Sequence, residues 1–132
     1  SWQRMVRNCA LLFCLILAGL SVFQIALILG APFGYYAWGG QNEVLPTAFR
    51  IGSVATLVIY AVFALFILQK AKVIQVFKRQ KLVNVGAWII FGYSCLGILA
   101  NAASRSAAER NVMTPLVIVM AILSFIVARS KA

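Results

Sequence analysis

Glu43 and Glu109 are the only acidic side chains in this sequence, and histidine is absent. General acid–base catalysis and metal binding draw mainly on histidine, carboxylates and thiolates. Without histidine, most hydrolase and metal chemistry is excluded. Cys9, Cys14 and Cys95 fall in apolar runs with no C-x-x-C spacing, so they read as small packing residues. No phosphate-binding glycine loop, Rossmann glycine pattern, nucleophile elbow or H-E-x-x-H occurs. We therefore assign no catalytic residue, cofactor or metal ligand. What the chain does offer is recognition chemistry: the amides of Gln24 and Asn101, the guanidinium groups of Arg50 and Arg105, the carboxylates of Glu43 and Glu109, and the Trp38 indole. These are the candidate ligand-binding residues.

Most of them flank one stretch, residues 30–46, GAPFGYYAWGGQNEVLP. Phe33, Tyr35, Tyr36 and Trp38 combine apolar rings with polar tips, a composition favoured at membrane–water interfaces. Gly34, Gly39 and Gly40 permit positive φ and close backbone approach. About 20 residues is long for a connection between packed helices. We expect a compact lid in which Trp38 walls a ligand site.

The elements that must hold this lid are apolar. The chain is 64% hydrophobic and 11% charged, with a mean hydropathy of +0.98, outside the soluble range. Its 132 residues allow one domain. The expected fold is all-α: a polytopic four-transmembrane-helix bundle with helices at about 9–29, 51–69, 83–103 and 112–128. Each run approaches the ~20 residues needed to cross a bilayer core. The first has a poor cleavage pattern and reads as an uncleaved helix, not a signal peptide. Ser1 in place of Met reads as a trimmed start. Pro46 is expected in the first turn of the second helix. Thr114 is expected as a cap, and Pro115 implies that the last helix either starts earlier and kinks or is short.

Residues 70–82 form the connection between the second and third helices. Val73, Val76 and Phe77 on one face suggest a helix end lying along the lipid interface. Its five cations, Lys70, Lys72, Lys78, Arg79 and Lys81, are expected to meet anionic lipid head groups. Net charge is +10, yet no basic stripe with interleaved exposed aromatics exists, so nucleic acid is not an expected partner. The termini and residues 70–82 carry nine of the twelve cations; residues 30–50 and 104–111 carry three. That asymmetry predicts both termini in the cytoplasm and the two loops outside, in a bacterium at the inner membrane.

Small or polar residues recur at helical spacing: Cys14, Ala18, Ser21 and Gln24; Ser53, Thr56 and Tyr60; Gly86, Tyr93, Gly97, Asn101 and Ser104; Met113, Met120 and Ser124. These stripes are expected to face one another. Polarity gathers toward the outer third, so a site should open outward.

The motifs Ala31-Pro32-Phe33-Gly34, Trp38-Gly39-Gly40, Leu45-Pro46 and Arg50, with residues 101–106 (NAASRS), Glu109 and Thr114-Pro115, resemble a family of small bacterial four-helix inner-membrane proteins with no assigned activity. The resemblance covers both outer loops and implies topology but no substrate. The expected function is a binding or accessory protein with an outward, lid-covered site for a lipid, apolar small molecule or partner helix. The alternatives are a subunit of an oligomeric channel or transporter, and a lipid-modifying enzyme. Proton-coupled exchange is disfavoured because neither acid lies within an apolar run.

Overall fold

The structure, a computed structural model, describes residues 1–131. Four helices follow one another: α1 (Trp2–Ile28), α2 (Thr47–Lys70), α3 (Gln80–Ala102) and α4 (Ala107–Arg129). Each is long and apolar enough to cross a membrane. Packing runs α1–α2–α3–α4 around a ring, with α4 closing on α1. The α3–α4 seam is the most extensive and α2–α3 the loosest of the ring. The termini and the α2–α3 connection lie at one end of the bundle, and the other two connections at the opposite, loop end.

The core reflects the spacing of apolar residues. Val6, Ala10, Phe13 and Leu17 of α1 recur every three or four residues, the period of a helix face, and pack with Ile67, Ile90, Met120, Leu123 and Val127. A second, smaller cluster joins Leu27, Ala37 and Leu45 beneath the 29–46 connection. Elsewhere the exterior is apolar, with Leu15, Val22, Val58, Ile89, Leu99 and Ile122 all exposed.

Several expected boundaries move. α1 begins at Trp2, capped by the Ser1 hydroxyl, which accepts from Arg4 N at 3.3 Å. Arg4 and Arg7 interrupt the apolar run but not the buried face, which continues through Val6. Pro46 is the N-cap of α2, outside the helix, and its extended backbone (φ −67°, ψ 163°) presents its carbonyl to Phe49 N and Arg50 N. Thr114 caps nothing. α4 starts seven residues earlier, where Ser106 Oγ accepts from Glu109 N at 3.3 Å, and runs through Pro115. A serine with glutamate three residues on is an established start signal, and this one accounts for a full-length α4.

The α2–α3 connection is not an interfacial helix. It leaves α2 through Lys72 in the left-handed region (φ 65°), with Val73 N bonded to Leu68 O at 2.9 Å. The chain then wraps around Gln69, which is only 2% exposed. Gln69 Oε1 accepts from Val76 N and Phe77 N at 2.9 and 2.8 Å, while its Nε2 donates to Phe77 O at 2.8 Å. One buried amide thus replaces the backbone partners that a further helical turn would have supplied. Phe77 packs on Phe66, with ring centroids 4.6 Å apart. Lys70 is buried, and its Nζ donates to Asn84 Oδ1 at 2.9 Å.

The polar stripes do not generally pair across helices. Ser21, Thr56, Asn101 and Ser124 donate to carbonyls three or four residues earlier in their own helices. This back-bonding satisfies a short polar side chain in apolar surroundings without a partner helix. Ala18 and Tyr93 are exposed.

Candidate functional site

The 29–46 connection is a folded plug at the loop end, built by backbone geometry that glycine permits. Gly30, at φ 94°, ends α1, and Ala31 N reaches back to Ala26 O at 2.9 Å. Gly34 N donates to Glu43 O at 2.8 Å, closing the connection on itself. A Cβ at Gly34 would stand 2.0 Å from Asn42 O, so only glycine fits. Two 3₁₀ turns, Gly34–Tyr36 and Trp38–Gly40, place Trp38, Gly39 and Gly40 in succession at positive φ.

Trp38 docks on α2. Its Nε1 donates to Ser53 Oγ at 3.1 Å, and its ring stacks on Phe49 with centroids 5.4 Å apart and planes 18° apart. Gly52 makes room for the indole: a Cβ there would lie 2.7 Å from Trp38. Arg50 works as a second clasp. Its Nε donates to Leu45 O at 2.8 Å, and its guanidinium lies beside Gly30. Ser106 ties the plug to α4, donating from Oγ to Tyr35 O at 2.5 Å while accepting from Glu109 N. The two loop-end segments therefore form one unit.

The candidate residues are distributed through this unit and do not surround one space. Trp38 and Arg50 hold the plug to α2. Glu43 contributes a backbone carbonyl, and the residue is exposed. Glu109 is 8% exposed and sits in the first turn of α4, where a carboxylate is favoured by the helix dipole. Arg105 is exposed and borders a hollow of about 420 Å³ with Gly39, Gly40 and Gln41. Gln24 is 8% exposed, with Tyr60 close by, and its Oε1 has no hydrogen-bond partner. Asn101 alone among the candidates lines a cavity between the helices.

That cavity, about 380 Å³, lies where α2 and α3 are most loosely joined. Phe13, Leu17 and Leu20 of α1 and Val117 and Met120 of α4 form its back wall. Tyr60 and Phe63 of α2 face Tyr93, Ser94, Leu96, Gly97, Ala100 and Asn101 of α3 across it. Its size falls within the roughly 300–1,000 Å³ of small-molecule sites. On the α3 side Tyr93 is 52% and Leu96 66% exposed, so the cavity opens sideways through the bundle wall. The Phe63–Tyr93 pair, edge to face at 5.2 Å, borders it toward the termini.

None of the described lining side chains is acidic or basic. The polar groups are the Tyr60 and Tyr93 hydroxyls, Ser94, whose Oγ donates to Ile90 O, and Asn101, whose Nδ2 donates to Gly97 O at 2.7 Å. Such a lining can hold an apolar body and offer a few hydrogen bonds from neutral groups. In the sequence, Tyr60, Tyr93 and Gly97 stand out only as members of the polar and small-residue stripes. Their signal was two tyrosines within apolar helices and a glycine, Gly97, at which a Cβ would lie 3.1 Å from Val117 of α4. No protein-family model, curated protein or solved structure matches the chain.

Proposed function

We propose that this chain is a binding or accessory protein of the cell's inner membrane, holding a lipid acyl chain or similar apolar small molecule in the α2–α3 cavity. The observation that carries this reading is the cavity's sideways opening between two helices long enough to span the bilayer. A ligand dissolved in the membrane would enter from the hydrocarbon, meet apolar walls, and direct a polar group toward Tyr60 and Asn101. The plug closes the bundle's loop end, and access through the wall is the route that remains compatible with it.

Both termini are placed in the cytoplasm and the plug outside. Nine cations at the termini end against three at the loop end support that orientation. Lys72, Lys78, Arg79 and Lys81 are exposed on the α2–α3 connection or at the start of α3, within reach of anionic head groups. Lys70 is committed to Asn84 instead.

Native mass spectrometry of the detergent-purified protein tests the ligand reading. The wild type is expected to carry an apolar adduct. Ala100→Phe fills the cavity from an exposed position and should lose it. Val22→Phe, on the exposed exterior of α1, should keep it. No adduct on the wild type, or equal retention by both variants, would count against the reading.

A further inference from the structure

At the termini end a different recess lies between the start of α1 and the α2–α3 connection. It measures about 540 Å³ and is bordered by Gln3, Arg4, Arg7, Asn8, Ala71 and Lys72. We infer that this cleft binds a phosphate-bearing anion at head-group level, with an anionic phospholipid as its source. The inference is independent of the α2–α3 cavity and of which leaflet the cleft faces.

Three observations support it. First, the cleft joins two separate parts of the chain. Gln3 Nε2 donates to Ala71 O at 3.0 Å, which fixes the first turn of α1 against the end of α2. Arg4, Arg7 and Lys72 are thereby brought around one hollow although Lys72 is far from the other two in sequence. Second, neither acidic side chain of the chain lies near them. Glu43 lies in the plug and Glu109 in the first turn of α4, a helix of 23 residues away. At ~1.5 Å per residue that is on the order of 30 Å, several times the ~8 Å over which physiological salt screens charge.

Third, Lys72 occupies a left-handed position, φ 65°, at the end of α2. Glycine is the residue most easily placed there, and Gly30 fills the matching position after α1. A lysine that borders the cleft in this conformation does so at some conformational cost, a pattern associated with function. The depth is also suitable. α1 has 27 residues and is about 40 Å long, against a hydrocarbon core of about 30 Å. Its first turns therefore extend to the phosphate level. Arginine pairs bidentately with phosphate, and lysine adds a point charge.

Lys72→Gly separates this role from folding, because it relieves the backbone while removing the charge. The protein would be reconstituted in phosphatidylcholine vesicles, and its association with spin-labelled phosphatidylglycerol compared with spin-labelled phosphatidylcholine. The wild type should prefer the anionic lipid. Arg7→Gln and Lys72→Gly should each reduce that preference by about fivefold, or to nothing if it is smaller, given the usual attraction per surface cation. The melting temperature of Lys72→Gly should be unchanged or higher. The Lys78→Gln, Lys81→Gln double variant should lose less of the preference. In a parallel arm, inorganic phosphate is titrated in detergent at constant ionic strength. Stabilisation of the wild type but not of Lys72→Gly would assign the site to soluble phosphate; a lipid preference without it assigns the phospholipid. Neither effect in the wild type, or an equal loss in the Lys78/Lys81 variant, overturns the cleft.

Discussion

A methyl group at Gly34 would have to displace the Asn42 carbonyl, and one at Gly40 would collide with the Ser106 side chain at 2.2 Å. Both positions determine whether the plug can fold. Gly40 adds a φ of 69°, which disfavours any residue with a Cβ by about 1–2 kcal/mol. Gly34→Ala is expected to lose roughly 1–3 kcal/mol through overpacking, read as a lower melting temperature in detergent. Trp38→Phe leaves a ring to stack on Phe49 but removes the bond to Ser53 and the part of the indole packed over Gly52, so it should lose at least about 1 kcal/mol. If Trp38→Phe melts like the wild type, the indole N–H does not hold the plug. Ser106→Ala removes both a helix cap and the bond to Tyr35 and should lose about 1–2 kcal/mol. The glycines and aromatics of this stretch were legible as a compact turn-rich structure. That Trp38 would dock on Gly52 and Ser53 was not, because the contact depends on the rotation of α2 about its axis, which periodicity leaves undetermined.

The helices themselves follow from apolar length, and their ends from individual side chains. Hydropathy marks where lipid-compatible residues stop; hydrogen bonding decides where the backbone stops being helical. Thus α1 continues past Arg7 to Ser1, and α4 reaches back past Pro115 to Ser106. The Ser106-x-x-Glu109 spacing lies upstream of the apolar run, so apolar length alone passes over it. The connection after α2 shows the opposite case. Its apolar spacing suggested a helix, whereas the buried Gln69 amide offers Val76 and Phe77 partners that favour an irregular path. Gln69→Leu keeps the approximate size of the side chain but removes its amide, leaving Val76 N and Phe77 N without their acceptor, at about 1–3 kcal/mol each when buried, while Phe77 O retains Gln75 Nε2 at 3.2 Å. The melting temperature should fall far more than for Gln75→Leu at the exposed edge of the same connection. Equal effects would show that Gln69 does not organise it.

At the scale of the whole molecule, charge and packing carry the account. The segregation of cations sets the proposed orientation, which accessibility of a single cysteine tests. With Cys9, Cys14 and Cys95 replaced, Gln41→Cys in intact cells should react with a membrane-impermeant maleimide, and Lys78→Cys only after lysis. The reverse pattern would invert the topology. The cavity was the least legible feature. Its lining comes from all four helices, and its existence depends on how loosely α2 meets α3, a property of packing and not of any one segment. The most direct measurement is photo-crosslinking of the membrane-embedded protein with a phospholipid bearing a diazirine in its acyl chain, followed by peptide mapping. Every exposed apolar face would touch bulk lipid, so the distribution of the label is the readout. Labelling concentrated at Tyr60, Phe63 and residues 93–101 is expected, with suppression there by Ala100→Phe. Labelling spread evenly over Leu15, Val22, Val58 and the α2–α3 seam would contradict a ligand held within the bundle.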